Sequence, residues 1–325
     1  MRSRCSISAI APILCLYALS GCSFEYGFAN QVPLVQEPTE DEQTDTALPE
    51  AAEDTAEPEG VYNEDPAPTF EDSGMDFDMD WDTVPPAPAD DCTVTSDLIY
   101  VLSKDNEHIY TYDPTTGALD DQGQVDCGMY GTPASMAVSR SGVAYVRYSD
   151  NALYQVDLET MSCSPTSYQP GAFGSFGMGF ATLHANTWQD ELYIANHDRL
   201  AELSTTSWQR SLRGNMSSQA EITGNANGDL WAVLPLESPA ELVQLDKNSG
   251  AVTSSLPLPG FPNPFNIDTF ALAAWGGDLY VFVRTYGLGS STDVLQVSPN
   301  GAMQVIDTNI GISVVGAGAS TCAPW

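Results

Sequence analysis

The chain has 325 residues, and its 44 Asp and Glu far outnumber its 10 Lys and Arg, giving a formal net charge of -34. Residues 92–325 alone carry 23 acidic and 8 basic residues, a net charge of -15. The negative electrostatic field of these residues repels nucleic-acid phosphates, so neither DNA nor RNA is expected as a partner. Cations, basic proteins and neutral glycans remain admissible.

The N-terminus has the features of an export signal. Arg2 and Arg4 precede an apolar run from Ile7 to Leu19. This run is well short of the roughly 20 residues that a membrane-spanning helix needs. A secretory signal peptide over residues 1–21 is therefore favoured over a permanent transmembrane helix.

The run ends in Leu19-Ser20-Gly21-Cys22, which resembles the bacterial lipobox. This resemblance implies that the chain is cut before Cys22 and that Cys22 carries acyl chains, palmitate among them, inserted into the lipid bilayer. In such lipoproteins an aspartate after the cysteine favours retention in the inner membrane, so Ser23 favours the outer membrane as the destination. The sequence is compatible with both its periplasmic face and the cell surface. The alternative is an ordinary signal peptide with a chance cysteine.

An acidic tether is expected next, over residues 22–91. Residues 23–91 hold 21 acidic side chains and no Lys or Arg, so this segment should be extended and disordered. Within it, Asp76–Asp82 alternates acidic and apolar residues. Trp81 and Ala87 stand where a calcium-binding EF-hand loop needs glycine and glutamate, which leaves a solvated linker or an acidic-aromatic docking segment.

Residues 92–325 contain a repeat built around an aliphatic-aromatic-aliphatic triplet. Its aromatic residues are 45, 48, 38 and 49 positions apart, close to the period of about 40–50 residues of a four-stranded propeller blade. The five triplets are Ile99-Tyr100-Val101, Ala144-Tyr145-Val146, Leu192-Tyr193-Ile194, Leu230-Trp231-Ala232 and Leu279-Tyr280-Val281.

Each triplet except the first is preceded by another apolar strand, and the missing one appears at the C-terminus as Ile312–Val315. A C-terminal strand that joins the first blade would close the ring and remove its exposed edges. We therefore expect an all-β, five-bladed β-propeller, with six blades as the alternative. Stretches such as Asn225–Trp231 look like blade entries of the NHL, YVTN and quinoprotein-like repeats, and this resemblance implies the same fold.

Four cysteines remain after the signal and Cys22, and an even number in an exported domain favours disulfides. Cys92 lies just before the first triplet and Cys322 just after the closing strand, so ring closure should pair them. This leaves Cys127 to pair with Cys163 at the outer ends of adjacent blades.

Two long connections are candidate binding loops, the aromatic, glycine-rich stretch Gly171–Phe180, with Tyr168 just before it, and the segment 259–265. His184, after an inner strand, is a further candidate because it could face the central channel. The alternative is that these aromatic side chains cover blade edges. The candidate binding residues are Tyr168, Phe173, Phe176, Met178, Phe261, Phe265 and His184.

Catalytic and cofactor motifs do not emerge from the sequence. Only three histidines and no Cys-x-x-Cys occur, and Phe173 stands where a nucleophile elbow around Ser175 needs glycine. No catalytic residue, metal ligand or cofactor is predicted. We expect the protein to act as a binding or scaffolding module for an envelope protein or glycan. The sequence does not predict its oligomeric state. The alternatives are a divalent-cation-dependent hydrolase or lyase of the lactonase-like kind and an adhesin-like surface protein.

Overall fold

A computed structural model describes residues 92, 97–125, 127, 131–185 and 187–325. The predicted signal peptide (1–21), the lipid-carrying Cys22 and the predicted tether (22–91) lie outside the described residues. Two three-residue 3-10 turns, Gly171–Phe173 and Pro264–Asn266, are the helical pieces of the described part. None of its helices is long and apolar enough to cross a membrane.

Twenty strands form five antiparallel sheets of four strands each, which are the blades of a propeller. The strands of each blade are given from the inner to the outer edge. Blade 1 consists of β20 (Val314–Gly318), β1 (Ile99–Ser103), β2 (His108–Tyr112) and β3 (Leu119–Gln124). Blade 2 consists of β4 (Pro133–Val138), β5 (Val143–Tyr148), β6 (Leu153–Asp157) and β7 (Cys163–Pro165). Blade 3 consists of β8 (Gly177–Thr182), β9 (Asp190–Ala195), β10 (Arg199–Leu203) and β11 (Arg210–Asn215). Blade 4 consists of β12 (Glu221–Gly224), β13 (Leu230–Leu234), β14 (Glu241–Leu245) and β15 (Val252–Pro257). Blade 5 consists of β16 (Ile267–Trp275), β17 (Asp278–Thr285), β18 (Asp293–Val297) and β19 (Met303–Asp307).

The prediction of five blades closed by a C-terminal strand is confirmed. Strand β20 pairs antiparallel with β1, with Tyr100 opposite Gly318, and so completes the first blade from the far end of the chain. Each innermost strand contacts the innermost strand of the next blade, and β16 contacts β20, which closes the ring. Five apolar clusters fill the seams between neighbouring blades, one at each seam.

The repeated triplet exists because the second strand of each blade is buried on both faces. Side chains alternate across a strand, so the central aromatic enters one seam and its two aliphatic neighbours enter the other. In blade 2, Tyr145 packs in the seam with blade 3, while Ala144 and Val146 pack in the seam with blade 1. The other four triplets divide in the same way.

Glycines allow neighbouring inner strands to approach closely. A Cβ atom on Gly179 of β8 would lie 2.5 Å from the carbonyl oxygen of Ile222 and 2.7 Å from the Cα of Thr223, both on β12. A Cβ on Gly316 of β20 would lie 2.5 Å from the backbone nitrogen of Met136. Because these are backbone atoms, no side-chain movement could make room, and glycine is required at both seams.

Both predicted disulfides are confirmed. Cys92 is bonded to Cys322 across a sequence separation of 230 residues, and Cys127 is bonded to Cys163 across 36. The first joins the start of the propeller to its C-terminal segment, and the second joins the ends of blades 1 and 2.

All inner strands run in the same direction along the propeller axis, so the axis has two different ends. We call the end where these strands finish the covered end, because residues 319–325 cross it. The Thr321 hydroxyl donates a hydrogen bond to Asp190 (2.6 Å) and accepts one from Arg140 (3.0 Å). Gly276 of blade 5 donates its N–H to the Pro324 carbonyl at 2.7 Å. The C-terminal segment thus contacts blades 2, 3 and 5.

Candidate functional site

The opposite end, where the inner strands begin, contains a cavity of about 290 Å³, and we call it the cavity end. Side chains from blades 1, 2, 4 and 5 line this cavity, together with the loop before blade 3. Its polar lining includes Lys104, Arg147, Ser175, Gln219, Glu221, Asp268 and Thr269.

Glu221, the first residue of β12, is the most deeply buried carboxyl group of this lining and is 7% exposed. The hydroxyl of Ser135 on β4 donates a hydrogen bond to its Oε2 at 2.9 Å, and the Met178 N–H donates another. Burial raises the pKa of Glu221 to about 8, against the smaller opposing effects of Ser135, Arg147 and Met178. At neutral pH this carboxyl group therefore mostly keeps its proton.

Arg147, near the end of β5, is a buried cation that is only 4% exposed. Its guanidinium donates to three backbone carbonyls, those of Phe176 (2.8 Å), Tyr148 (3.1 Å) and Ala134 (3.3 Å). It also lies 5.4 Å from the centre of the Phe176 ring. Asn151 Oδ1 accepts a further hydrogen bond from it at 3.5 Å. Within the described residues it forms no ion pair with a carboxylate, and the carboxyl group that attracts it, Glu221, mostly keeps its proton at neutral pH.

Asp268 of β16, the other carboxylate of the lining, is held between two cations. Lys104 lies 3.2 Å from its Oδ1 and Arg284 lies 2.9 Å from its Oδ2. Arg284 also donates to the Ser313 hydroxyl, which in turn donates to Asp105. This carboxylate is therefore neutralised by protein groups from blades 1 and 5.

Thr269, beside Asp268, supplies an unsatisfied polar group. It is 6% exposed, it lines the cavity, and within the described residues its buried Oγ1 has no hydrogen-bond partner. Such a hydroxyl is costly to bury and is therefore uncommon unless something else bonds to it.

A metal centre is not supported by the donor set. The described part of the chain contains no group of three or more His, Cys, Asp or Glu side chains that could hold a metal ion. The two carboxyl groups that line the cavity are also poor ligands, because Glu221 favours its protonated form and Asp268 is occupied by Lys104 and Arg284.

The aromatic candidates of the 168–180 stretch point into the protein. Tyr168, Phe173, Phe176 and Met178 are all buried in the seam between blades 2 and 3. Arg210 holds the stretch from outside, donating to the Tyr168 hydroxyl (2.9 Å) and to the carbonyls of Gln169 (2.9 Å) and Pro170 (2.7 Å). The structure thus places these side chains as the alternative interpretation expected, covering blade edges.

The remaining candidates are separated from one another. Phe261 is partly buried against the core between blades 4 and 5, whereas Phe265 is 90% exposed in the turn that leads into β16. Tyr286 is exposed as well, and its N–H donates to the Asn266 carbonyl at 2.8 Å. His184 is exposed after β8 at the covered end, beside Lys247, and does not face the cavity.

Sequence reasoning missed Glu221, Arg147 and Thr269. They lie in strands that were predicted from their apolar residues. Their side chains line one cavity only because the closed ring brings blades 2, 4 and 5 together. One signal was available for Glu221, which is an ionisable residue within the inner-strand segment Ala220-Glu221-Ile222.

No family model matches the chain, and a search of curated proteins gives no match. Comparisons with solved structures include the following distant likenesses. A protein of unknown function from Bacteroides caccae aligns with a TM-score of 0.39 and 11% identity, covering 68% of this chain and 97% of that one. Dihydro-heme d1 dehydrogenase NirN in complex with DHE aligns with a TM-score of 0.33 and 14% identity, covering 65% of this chain and 45% of that one. Glutaminyl cyclase from Myxococcus xanthus aligns with a TM-score of 0.35 and 16% identity, covering 59% of this chain and 72% of that one. Likenesses this weak say nothing about activity or ligand.

Proposed function

We propose that this protein is a lipid-anchored binding module of the cell envelope that holds a glycan at the cavity end of its propeller. The observation that carries the proposal is the cavity itself, a concave site at one end of the axis whose buried lining combines polar and charged groups from four blades. Convergent polar groups in a pocket are typical of ligand sites.

The exposed aromatic rings near the cavity also suit a glycan. Phe265 and Tyr286 are exposed on adjoining loops of blade 5, and the Phe265 turn runs directly into Asp268 and Thr269 of the cavity lining. Exposed aromatic side chains provide flat apolar surfaces beside polar groups, as an amphipathic sugar ring requires.

Binding rather than catalysis is favoured by how the cavity uses its carboxyl groups. Neither Glu221 nor Asp268 is free to hold a divalent cation, so the cation-dependent hydrolase or lyase has no support among the described residues. A scaffold for an envelope protein would use a broad surface and would not require these buried polar groups.

The binding proposal is tested by screening the detergent-solubilised, full-length protein on a glycan array. Ser175 is exposed on the loop at the cavity, so Ser175→Trp should block the cavity without disturbing the core. Ser141, exposed in the β4–β5 hairpin at the covered end, provides the matched control Ser141→Trp. Glycan binding that survives Ser175→Trp as well as it survives Ser141→Trp contradicts the proposal.

The anchor is tested separately by cell fractionation. The wild-type chain should sediment with membranes, because several acyl chains bind far more firmly than one. Mass spectrometry of its N-terminal peptide should find Cys22 as the first residue, carrying acyl chains. An N-terminal peptide in which Cys22 is unmodified contradicts lipid attachment at this cysteine and leaves the glycan site untouched.

A further inference from the structure

Arg147 brings a positive charge to the cavity and forms no ion pair within the described residues. The carboxyl group that attracts it, Glu221, mostly keeps its proton at neutral pH and so leaves this charge without a full counter-charge. Guanidinium groups stay protonated in proteins, and a buried charge without a counter-charge is strongly destabilising. Three carbonyls satisfy its hydrogen bonds but supply no negative charge.

Unused hydrogen-bond donors lie in the same lining. The Thr269 hydroxyl is buried and unpartnered. Glu221 holds a proton at neutral pH because burial raises its pKa to about 8. A protonated carboxyl group can donate a hydrogen bond to an acceptor that its ionised form would repel.

The charged groups around the cavity add up to a small positive excess. Lys104 and Arg147 are cationic, Asp268 is anionic and paired with Lys104 and Arg284, and Glu221 is mostly neutral at pH 7. The rest of the propeller carries a large negative charge, but screening limits the reach of that field to about 8 Å at physiological salt. Locally, the site favours a ligand with a single negative charge.

We propose that the cavity binds the carboxylate of an acidic sugar unit, with Arg147 as its counter-charge and Thr269 and Glu221 as hydrogen-bond donors. This inference rests on the proposed glycan-binding function and specifies its ligand class. A volume of about 290 Å³ admits one such unit, with the rest of the glycan lying outside the cavity.

Binding should depend on pH, with a sign fixed by Glu221. The groups that surround this carboxyl are Arg147 from β5, Ser135 from β4 and the Met178 N–H from β8, and Lys104 and Asp268 line the same cavity. Above the pKa of Glu221 its carboxylate repels the ligand carboxylate. The dissociation constant should therefore rise by about tenfold between pH 7 and pH 9.

The test is calorimetric titration of the detergent-solubilised, full-length protein with glucuronate, glucose and propionate. Glucuronate should bind at least about tenfold more tightly than glucose, which has the same ring without the carboxylate. Thr269→Val, which keeps the shape of the side chain, should weaken glucuronate binding by roughly tenfold. His184→Ala at the covered end should leave it unchanged.

Glu221→Gln removes the titration of this side chain and keeps the fold, because the neutral amide has the shape of the protonated carboxyl group. It should keep the affinity measured at pH 7 and remove the weakening between pH 7 and pH 9. Equal binding of glucose and glucuronate overturns the inference but not the proposed glycan function. Equal binding of propionate and glucuronate assigns the site to free organic acids and overturns the acidic sugar. Absence of binding by all three, with a positive glycan array, also overturns it.

Discussion

The two ends of the propeller axis treat their buried polar groups in opposite ways. At the covered end, Arg140 and Asp190 form a two-point ion pair with distances of 2.9 and 2.6 Å, and Thr321 of the C-terminal segment bonds to both. At the cavity end, Arg147 forms no ion pair and Thr269 Oγ1 has no hydrogen-bond partner among the described residues. At the covered end the buried ion pair is tied to a hydroxyl of the C-terminal segment, whereas at the cavity end a buried hydroxyl is left that a ligand could bond to.

This difference indicates how the ring separates stability from binding. A buried pair that satisfies itself contributes to a fixed geometry, whereas unsatisfied groups reduce stability until a ligand arrives. Substitutions at the covered end should therefore be destabilising, and matched substitutions at the cavity end should be nearly neutral or stabilising.

The largest effect is expected from Asp190→Ala, which leaves Arg140 buried without its ion-pair partner. The free energy of unfolding should fall by about 3–5 kcal/mol, measured by urea denaturation. Lys104→Ala is the cavity-end counterpart and should change it by less than about 1 kcal/mol, since Asp268 keeps Arg284 and Lys104 is partly exposed. Equal losses in the two variants would remove the contrast between the ends.

The disulfides are expected to differ in their contributions. Replacing Cys92 and Cys322 by serine opens a loop of 230 residues, whereas replacing Cys127 and Cys163 opens one of 36. The chain-entropy model predicts that the first double variant loses about 1.6 kcal/mol more than the second. Denaturation midpoints of both variants without reductant measure this, and a reversed order contradicts the model for this ring.

A pH effect should arise from the cavity end. Glu221 is protonated in the folded state up to about pH 8, whereas in the unfolded chain it ionises near its ordinary value of 4.5. The folded state thus binds the extra proton between these values, and stability should fall as pH rises, with the equilibrium constant for unfolding rising by up to about tenfold per pH unit. Urea denaturation at pH 6 and pH 7 should show this fall in the wild type and not in Glu221→Gln.

The smallest effect is expected from removing the unpartnered hydroxyl. Thr269→Val replaces a buried, unbonded OH by a methyl group and should raise the free energy of unfolding by up to about 1 kcal/mol. Thr321→Val at the covered end removes a hydroxyl that is bonded to Asp190 and Arg140, and should lower it by about 1–2 kcal/mol. Thermal denaturation of the two variants measures whether the stability rises in Thr269→Val and falls in Thr321→Val.

The fold was predictable because its signals repeat. The triplet recurs in every blade, and the ring constraint then led from Ile312–Val315 to the closing strand and from there to the Cys92–Cys322 pair. These inferences needed only local patterns and the requirement that sheet edges be paired.

The candidate site was not predictable in the same way, because its residues come from different blades and none of them forms a motif. Arg147 immediately follows a triplet, and Thr269 lies among the apolar residues of β16. The aromatic stretch around Phe173 and Phe176 drew attention by composition, yet those rings fill a seam. Sequence alone could not show whether an aromatic side chain between blades points outward or inward.

The bond between Cys92 and Cys322 also has a mechanical consequence. Strand β1 begins at the covered end, where the C-terminal segment lies and where Cys322 holds Cys92. A pulling force applied at Cys92 is divided between the chain that leads into β1 and, through a covalent bond, the C-terminal segment. Tension at Cys92 would therefore be carried into the ring at its covered end by two routes, far from the cavity.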